Sequence, residues 1–225
     1  VWHPDGRSLI FIVDDPPFNI YQAPVDGSAP PAARVVSPVD SYAGGLSADG
    51  RWLAMHQNRP ESAGNIELLE LVDGAEPTTV RGTPFNEIFA TVSPDGRYVA
   101  YQSNETGRME IYVQGVAGVG GRLQLSRAGG ERPLWTRNGE LYFWQGNSLT
   151  AVTVRSAPKL EASDPRVLFS VDHHVSSVHR EFDVTADGRE FFVTRTPEVA
   201  KPREIRVVLD WFTELERLAG SGGRQ

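Results

Sequence analysis

The sequence predicts an all-β protein made of five repeats of one four-stranded antiparallel unit. A turn motif, Ser93-Pro94-Asp95-Gly96-Arg97 in its fullest copy, recurs along the 225 residues, at 3–7, 47–51, 93–97, 136–139 and 185–189. Measured at the Asp or Asn of each copy, the intervals are 44, 46, 43 and 49 residues. A period of roughly 40 to 50 residues is typical of β-propeller blades. An apolar segment follows each turn, so we expect five blades of a β-propeller, as part of a larger ring.

The turn motif itself is expected to be structural. Proline presets φ for a reversal, Asp or Asn hydrogen-bonds its own backbone, and Gly accepts the positive φ that a tight turn needs. The residues to which we assign this role are Asp5, Gly6, Asp49, Gly50, Asp95, Gly96, Asn138, Gly139, Asp187 and Gly188. The four aspartates are therefore interpreted as turn residues and not as a repeated acidic site.

Each unit offers the strands of one blade, in the same order. After the strand that precedes each turn, the predicted strands are 9–13, 20–21 and 34–36; 52–56, 66–71 and 78–81; 98–102, 110–113 and 122–125; 141–144, 149–154 and 167–169; and 182–184, 190–194 and 205–209 around and after the fifth turn. Successive residues of the strand after each turn are all apolar. Such strands are buried on both faces, as in a blade that lies between two neighbouring blades.

The two ends of the chain depart from the repeat. The first unit lacks the start of its inner strand, and the fifth lacks a fourth strand, so we expect further blades upstream of Val1. Unpaired edges also predict pairing with a second copy of the chain. We assign 1–212 to the propeller and 213–225 to a short helical end and a disordered tail, although helical spacing is already present from Trp211.

Composition excludes several classes of function. The net charge is −7, and only two lysines occur, which argues against binding nucleic acid. No window approaches the roughly 18 apolar residues of a membrane span, so we expect no membrane insertion. The chain contains no cysteine, hence no disulfide and no thiolate metal site. The compartment stays open, with a periplasmic or extracytoplasmic location favoured over a cytoplasmic one.

No catalytic or metal-binding pattern stands out. The nucleophile elbow Gly-x-Ser-x-Gly is absent, and its nearest match, residues 45–49, is one copy of the turn. His173, His174 and His179 lie close together before the fifth unit, but their spacing matches no standard zinc pattern. We therefore predict that the chain is not an enzyme and holds no metal or cofactor.

Binding is expected at the loops that enter the inner strands, since these surround one mouth of the central channel of a propeller. The candidate rim residues are Tyr42, Glu87, Ile88, Glu131, Arg132, His179 and Arg180. Their mixture of acids, arginine and tyrosine suits a protein or peptide partner, or a small polar ligand.

The sequence carries two family resemblances. The turn motif with its apolar strand, followed by residues 104–113, resembles the WD40-like repeat of the TolB family of β-propellers. Residues 129–135 and 205–212 are similar to the last blades of propellers C-terminal to bacterial serine/threonine protein kinases. The resemblance implies a non-catalytic binding or sensing module of a larger bacterial protein, with a receptor-like kinase as the leading parent. Two alternatives stay open: a propeller that gates substrate for an oligopeptidase-like hydrolase, and a purely structural interaction array.

Overall fold

The computed structural model describes residues 1–13, 15–118, 120–155, 159–172, 180–185 and 187–195, which all belong to one compact unit, Val1–Arg195. The predicted strand at 205–209, the helical end, the tail and the three clustered histidines lie outside the described residues. Within the described part, no helix has the length and apolar character needed to cross a membrane.

The described residues form eighteen strands in five antiparallel sheets. The first sheet contains β1 (Ser8–Ile12), β2 (Ile20–Pro24) and β3 (Ala32–Val35). The second contains β4 (Ser41–Leu46), β5 (Trp52–Arg59), β6 (Ser62–Glu70) and β7 (Thr78–Arg81). The third contains β8 (Glu87–Val92), β9 (Tyr98–Ser103), β10 (Glu110–Gly115) and β11 (Arg122–Gln124), with a short 3-10 helix at Val116–Gly118.

The remaining strands form the fourth and fifth sheets. The fourth contains β12 (Glu131–Trp135), β13 (Glu140–Gln145), β14 (Ser148–Arg155), β15 (Glu161–Ala162) and β16 (Arg166–Ser170), where β15 and β16 pair with different parts of β14. The described part of the fifth contains β17 (Phe182–Val184) and β18 (Phe191–Val193). Except for β16, which pairs with β14, the strands pair with their neighbours in sequence order. The second and third sheets are four-stranded, and the whole arrangement confirms an all-β architecture of successive antiparallel blade units.

The five turns share one set of hydrogen bonds. In each, the glycine amide donates to the carbonyl three residues earlier, at 2.8 to 3.0 Å. The glycine φ values lie between 67° and 86°, a region that L side chains rarely adopt. The Asp or Asn carboxyl or amide oxygen accepts from the backbone amide two residues later, as Asp95 does from Arg97 at 3.1 Å. Each motif therefore fixes the point at which an inner strand turns into the next strand.

The strand after each turn packs against a neighbouring sheet on both faces. In the second sheet, Leu53 and Met55 contact the first sheet, whereas Ala54 between them contacts the third. The same alternation continues to the fourth sheet, where Leu141 and Phe143 contact the third and Tyr142 contacts the fifth. The sheets therefore pack in chain order, as blades do.

The outer faces of the first and fifth sheets are the exceptions. Phe192 is 64% exposed, although its counterparts in the other sheets, Ile10, Ala54, Ala100 and Tyr142, are at most 1% exposed. On the first sheet, Leu9 and Phe11 are only partly buried, whereas Leu53 and Met55 at the same positions are fully buried. Each end sheet thus has one apolar face that the described residues cover incompletely.

The inner strands of three sheets are bulged at equivalent positions. Pairing shifts register between Ala43 and Gly45 in β4, between Ile88 and Thr91 in β8, and between Glu131 and Leu134 in β12. A bulge re-aims the side chain that it carries and bends the strand. Phe89 and Arg132 at these bulges have φ of 55°, the left-handed region that non-glycine residues avoid.

Candidate functional site

A cavity of about 520 Å³ lies where the inner strands of the second, third and fifth sheets converge. Its lining is mainly aromatic and apolar, with a few charged groups. The residues that line it are Val1, Tyr42, Ala43, Gly44, His56, Phe89, Arg180, Glu181, Phe182, Asp183, Phe192, Val193 and Thr194. We call it the central cavity.

A second cavity of about 580 Å³ opens on the side of the turns, and its lining includes Ala48, Pro94 and Thr185. The two cavities share Val1, Gly44, Arg180 and Asp183. These shared residues therefore separate two openings at the middle of the molecule, as the residues that line a propeller channel do.

Stacked rings form one wall of the central cavity. Tyr42 lies on His56 with ring centroids 4.7 Å apart and planes 10° apart, and the ring of Phe89 lies 5.9 Å from that of His56 at a tilt of 41°. Phe18 meets Tyr42 edge-on at 5.7 Å. Burial lowers the pKa of His56 to about 3, so its ring is neutral at physiological pH. The wall is thus an uncharged aromatic surface suited to apolar or aromatic groups.

Arg132 supports this wall from behind. Its guanidinium lies 5.1 Å from the centroid of Phe89, and its Nε is 2.8 Å from an oxygen of Glu181. Its Nη1 is 2.5 Å from Glu131. Only 4% of the surface of Arg132 is exposed, and the two carboxylates in contact with it balance its positive charge. Its role is to hold Phe89 and Glu181 in place.

Arg180 has a different environment. It is partly buried, and its Nη2 donates one hydrogen bond of 3.3 Å to the carbonyl of Gly44. Its Nε is buried and has no hydrogen-bond partner among the described residues. Burial lowers the pKa of Arg180 to about 10, against the opposing charges of Asp183 and Glu181, which leaves it protonated at neutral pH. No carboxylate of the described residues is within ion-pair distance of it.

The structure brings some of the predicted rim residues to the cavity and leaves others away from it. Tyr42 and Arg180 line it, and Arg132 lies directly behind it. Glu131 is about half exposed and contacts Arg132. His179 lies outside the described residues.

Two predicted rim residues have other positions. Glu87 is fully buried, and its carboxylate accepts from the amide and hydroxyl of Thr83 beside Arg81, so it serves the strand and not the rim. Ile88 pairs with Gln102 in the sheet and does not line the central cavity.

Sequence reasoning missed His56, Phe89, Phe182 and Phe192. A signal was available for Phe89: in the last four repeats, the residue six positions before the turn Asp or Asn lies at the cavity or its supporting wall. These residues are Ala43, Phe89, Arg132 and Glu181.

Within the described ranges, no group of three or more His, Asp or Glu side chains is arranged to hold a metal ion. The histidines at 173, 174 and 179 lie outside those ranges.

Comparisons with known proteins give likeness of structure only. No protein-family model matches the chain, and no curated protein matches it. A TolB-type protein from Agrobacterium tumefaciens superposes with a TM-score of 0.60 at 20% identity, over 75% of this chain and 63% of that one. TolB from Acinetobacter baumannii superposes with a TM-score of 0.53 at 16% identity, over 76% of this chain and 43% of that one. Prolyl oligopeptidase B from Galerina marginata superposes with a TM-score of 0.50 at 12% identity, over 72% of this chain and 26% of that one. The chain therefore spans less than two thirds of each of these proteins.

Proposed function

We propose, from the premise that this chain has the TolB-like β-propeller fold, that it is a non-catalytic module that binds a peptide or small polar ligand in the central cavity. The observation that carries this proposal is the cavity of about 520 Å³ with its aromatic wall and its arginine. Ligand sites are typically concave, largely apolar, and supplied with a few oriented polar groups. The fold alone would not give this role, since propellers host many functions.

The chemistry of the lining supports binding over catalysis. His56 is the histidine of the described lining, and it stacks on Tyr42. With its pKa near 3, it is a poor general base at neutral pH, because an effective base titrates near the working pH. The left-handed backbone at Phe89 and Arg132 also supports a functional wall, since such strained positions cluster at ligand sites.

The parent protein belongs to the same proposal. A binding module at the end of a bacterial receptor-like serine/threonine kinase accounts for the similarity of residues 129–135 and 205–212 to kinase-associated propellers. The rival role is a propeller that gates substrate for a hydrolase. It is favoured by the likeness to prolyl oligopeptidase B, of which this chain spans 26%. An interaction array with no ligand is the third alternative.

A peptide selection tests the proposal. A random peptide library displayed on phage is selected against the whole chain, and the enriched peptides are measured by calorimetry against two variants. Tyr42→Ala removes a stacked ring from the cavity wall, so we expect affinity to fall at least about tenfold. Tyr21→Ala is the matched control, because Tyr21 stacks on Phe11 at 6.3 Å in the first sheet and does not line the central cavity.

The outcome separates the candidates. Loss of binding in Tyr42→Ala with affinity retained in Tyr21→Ala supports a cavity-binding module. Equal affinity in both variants, with both folded by circular dichroism, contradicts it. A selection that enriches no peptide contradicts the peptide form of the proposal and leaves the small polar ligand and the interaction array.

A further inference from the structure

The two arginines at the middle of the molecule differ in how their charge is balanced. Arg132 has Glu181 at 2.8 Å and Glu131 at 2.5 Å. Within the part of the chain that the structure describes, Arg180 donates one hydrogen bond, to Gly44, and its buried Nε has no partner. A guanidinium has five N–H donors in a fixed fork that matches a carboxylate. Arg180 therefore retains unused donors inside the protein.

The nearby carboxylates balance this charge only in part: Asp183 and Glu181 raise the pKa of Arg180, but among the described residues neither lies within ion-pair distance of it. Glu181 is held by Arg132. Asp183 accepts a hydrogen bond of 2.8 Å from the amide of Val184 and lies beyond ion-pair distance of Arg180. A partly buried charge that forms no ion pair with the described residues is incompletely compensated, and a ligand anion would supply the missing opposite charge.

The surroundings of Arg180 indicate what supplies it. Arg180 lines both the central cavity and the cavity on the turn side, so a ligand can reach it. The rings of Tyr42, Phe89, Phe182 and Phe192 line the same central cavity. An anion with an apolar body would place its charge on the guanidinium and its body against these rings.

We infer that Arg180 is the subsite for a ligand carboxylate that carries an apolar or aromatic body. The inference rests on the proposed function, because it places the carboxylate in the same cavity. Two sources share this chemistry: the C-terminus of a peptide with an apolar last residue, and a free small carboxylic acid.

Calorimetry with matched probes tests this subsite on the whole chain. The probes are N-acetyl-phenylalanine and its uncharged amide, and the tripeptide acetyl-Ala-Ala-Phe as acid and as amide. We expect each acid to bind at least about tenfold more tightly than its amide, as a charge-assisted bidentate pair is stronger than a neutral contact. A tripeptide acid that binds more tightly than the single residue identifies a peptide C-terminus, and equal affinity identifies a small acid.

Variants assign the preference to Arg180. Arg180→Met should abolish the preference for acid over amide, and Arg180→Lys should keep part of it, since lysine retains the charge but not the fork. Arg97→Met is the control, because Arg97 is an exposed residue beside a turn. The melting temperature of Arg180→Met should equal or exceed that of wild type, whereas an arginine with a structural role would lower it.

Three results would overturn the inference. They are equal binding of acid and amide by wild type, a preference for acid that survives Arg180→Met, and no binding of any probe. The first two leave the proposed function standing if library-selected peptides still depend on Tyr42. Loss of that dependence as well would remove both proposals.

Discussion

Replacement of Gly44 by alanine tests the closest approach between two neighbouring sheets. Gly44 lies at the bulge of β4, and a Cβ added there would be 1.9 Å from the carbonyl oxygen of Ala90 in β8 and 2.9 Å from that of Ala54 in β5. Both are backbone atoms, so a rotamer change cannot relieve the overlap. The inner strands themselves must separate.

The size of the effect follows from the overlap. Ordinary van der Waals contact begins near 3.4 Å, so β4 and β8 must separate by about 1.5 Å at this point. Overpacking of this kind typically costs about 1–3 kcal/mol, and a backbone-to-backbone overlap belongs at the upper end. The reduced entropy of the unfolded chain returns only about 0.4–1 kcal/mol. For a domain of this size, a net loss of about 2 kcal/mol lowers the melting temperature by about 4–8 °C.

The assay is thermal and urea unfolding followed by circular dichroism, with Gly82→Ala as the matched control. A Cβ at Gly82 would meet the side-chain amide of Asn65 at 3.1 Å, and a side chain can move. We expect this control to melt within about 3 °C of wild type. If Gly44→Ala melts as Gly82→Ala does, the close approach of β4 and β8 is refuted.

Three further predictions concern single side chains. Below pH 6.5 the unfolded chain takes up a proton on His56, whereas the folded chain, in which the pKa of His56 is near 3, does not. The free energy of unfolding should therefore fall by about 1.4 kcal/mol per pH unit from pH 6.5 towards 3. Urea unfolding of His56→Phe across this range should show a slope without that contribution, and equal slopes for variant and wild type would contradict the prediction. Phe191→Ala should lower the free energy of unfolding by about 2–4 kcal/mol, because Phe191 meets Tyr142 edge-on at 5.2 Å. Phe192→Ala should lower it by less than about 1 kcal/mol, because Phe192 is 64% exposed. Equal melting temperatures of the two variants would contradict this difference in burial. Asp95→Ala should cost about 1 kcal/mol by removing the acceptor of the turn, and Asp95→Asn should restore most of it in the same melting assay.

The strand order followed from the repeat because turn and strand signals are local. Strands β7 and β17 have the predicted bounds, 78–81 and 182–184. Strands β5 and β6 are longer than predicted, since polar residues beyond the apolar runs stay buried through hydrogen bonds: Gln57 donates to Ser41 at 3.0 Å, and Ser62 donates to Asn65 at 2.6 Å. A strand predicted from a run of apolar residues stops at the first of these polar residues, and is therefore too short.

The cavity was less accessible to sequence reasoning because it depends on contacts between distant repeats. Tyr42 and Arg180 were predicted as rim residues from their place before the inner strands, and both line the cavity. The bulges that turn Ala43 and Phe89 toward it depend on how inner strands of neighbouring sheets fit together. A left-handed backbone at Phe89 is also invisible in the sequence, since phenylalanine rarely adopts it.

The constant six-residue offset between each turn and its cavity-side position has a consequence for redesign. Ala43, Phe89, Arg132 and Glu181 come from four different repeats and hold the same position relative to their turns. Arg132 contacts both Phe89 and Glu181, so exchange of any of these three would disturb the others. Ala43, the smallest of the four, is therefore the first place to introduce a new recognition group while the rest of the wall is retained.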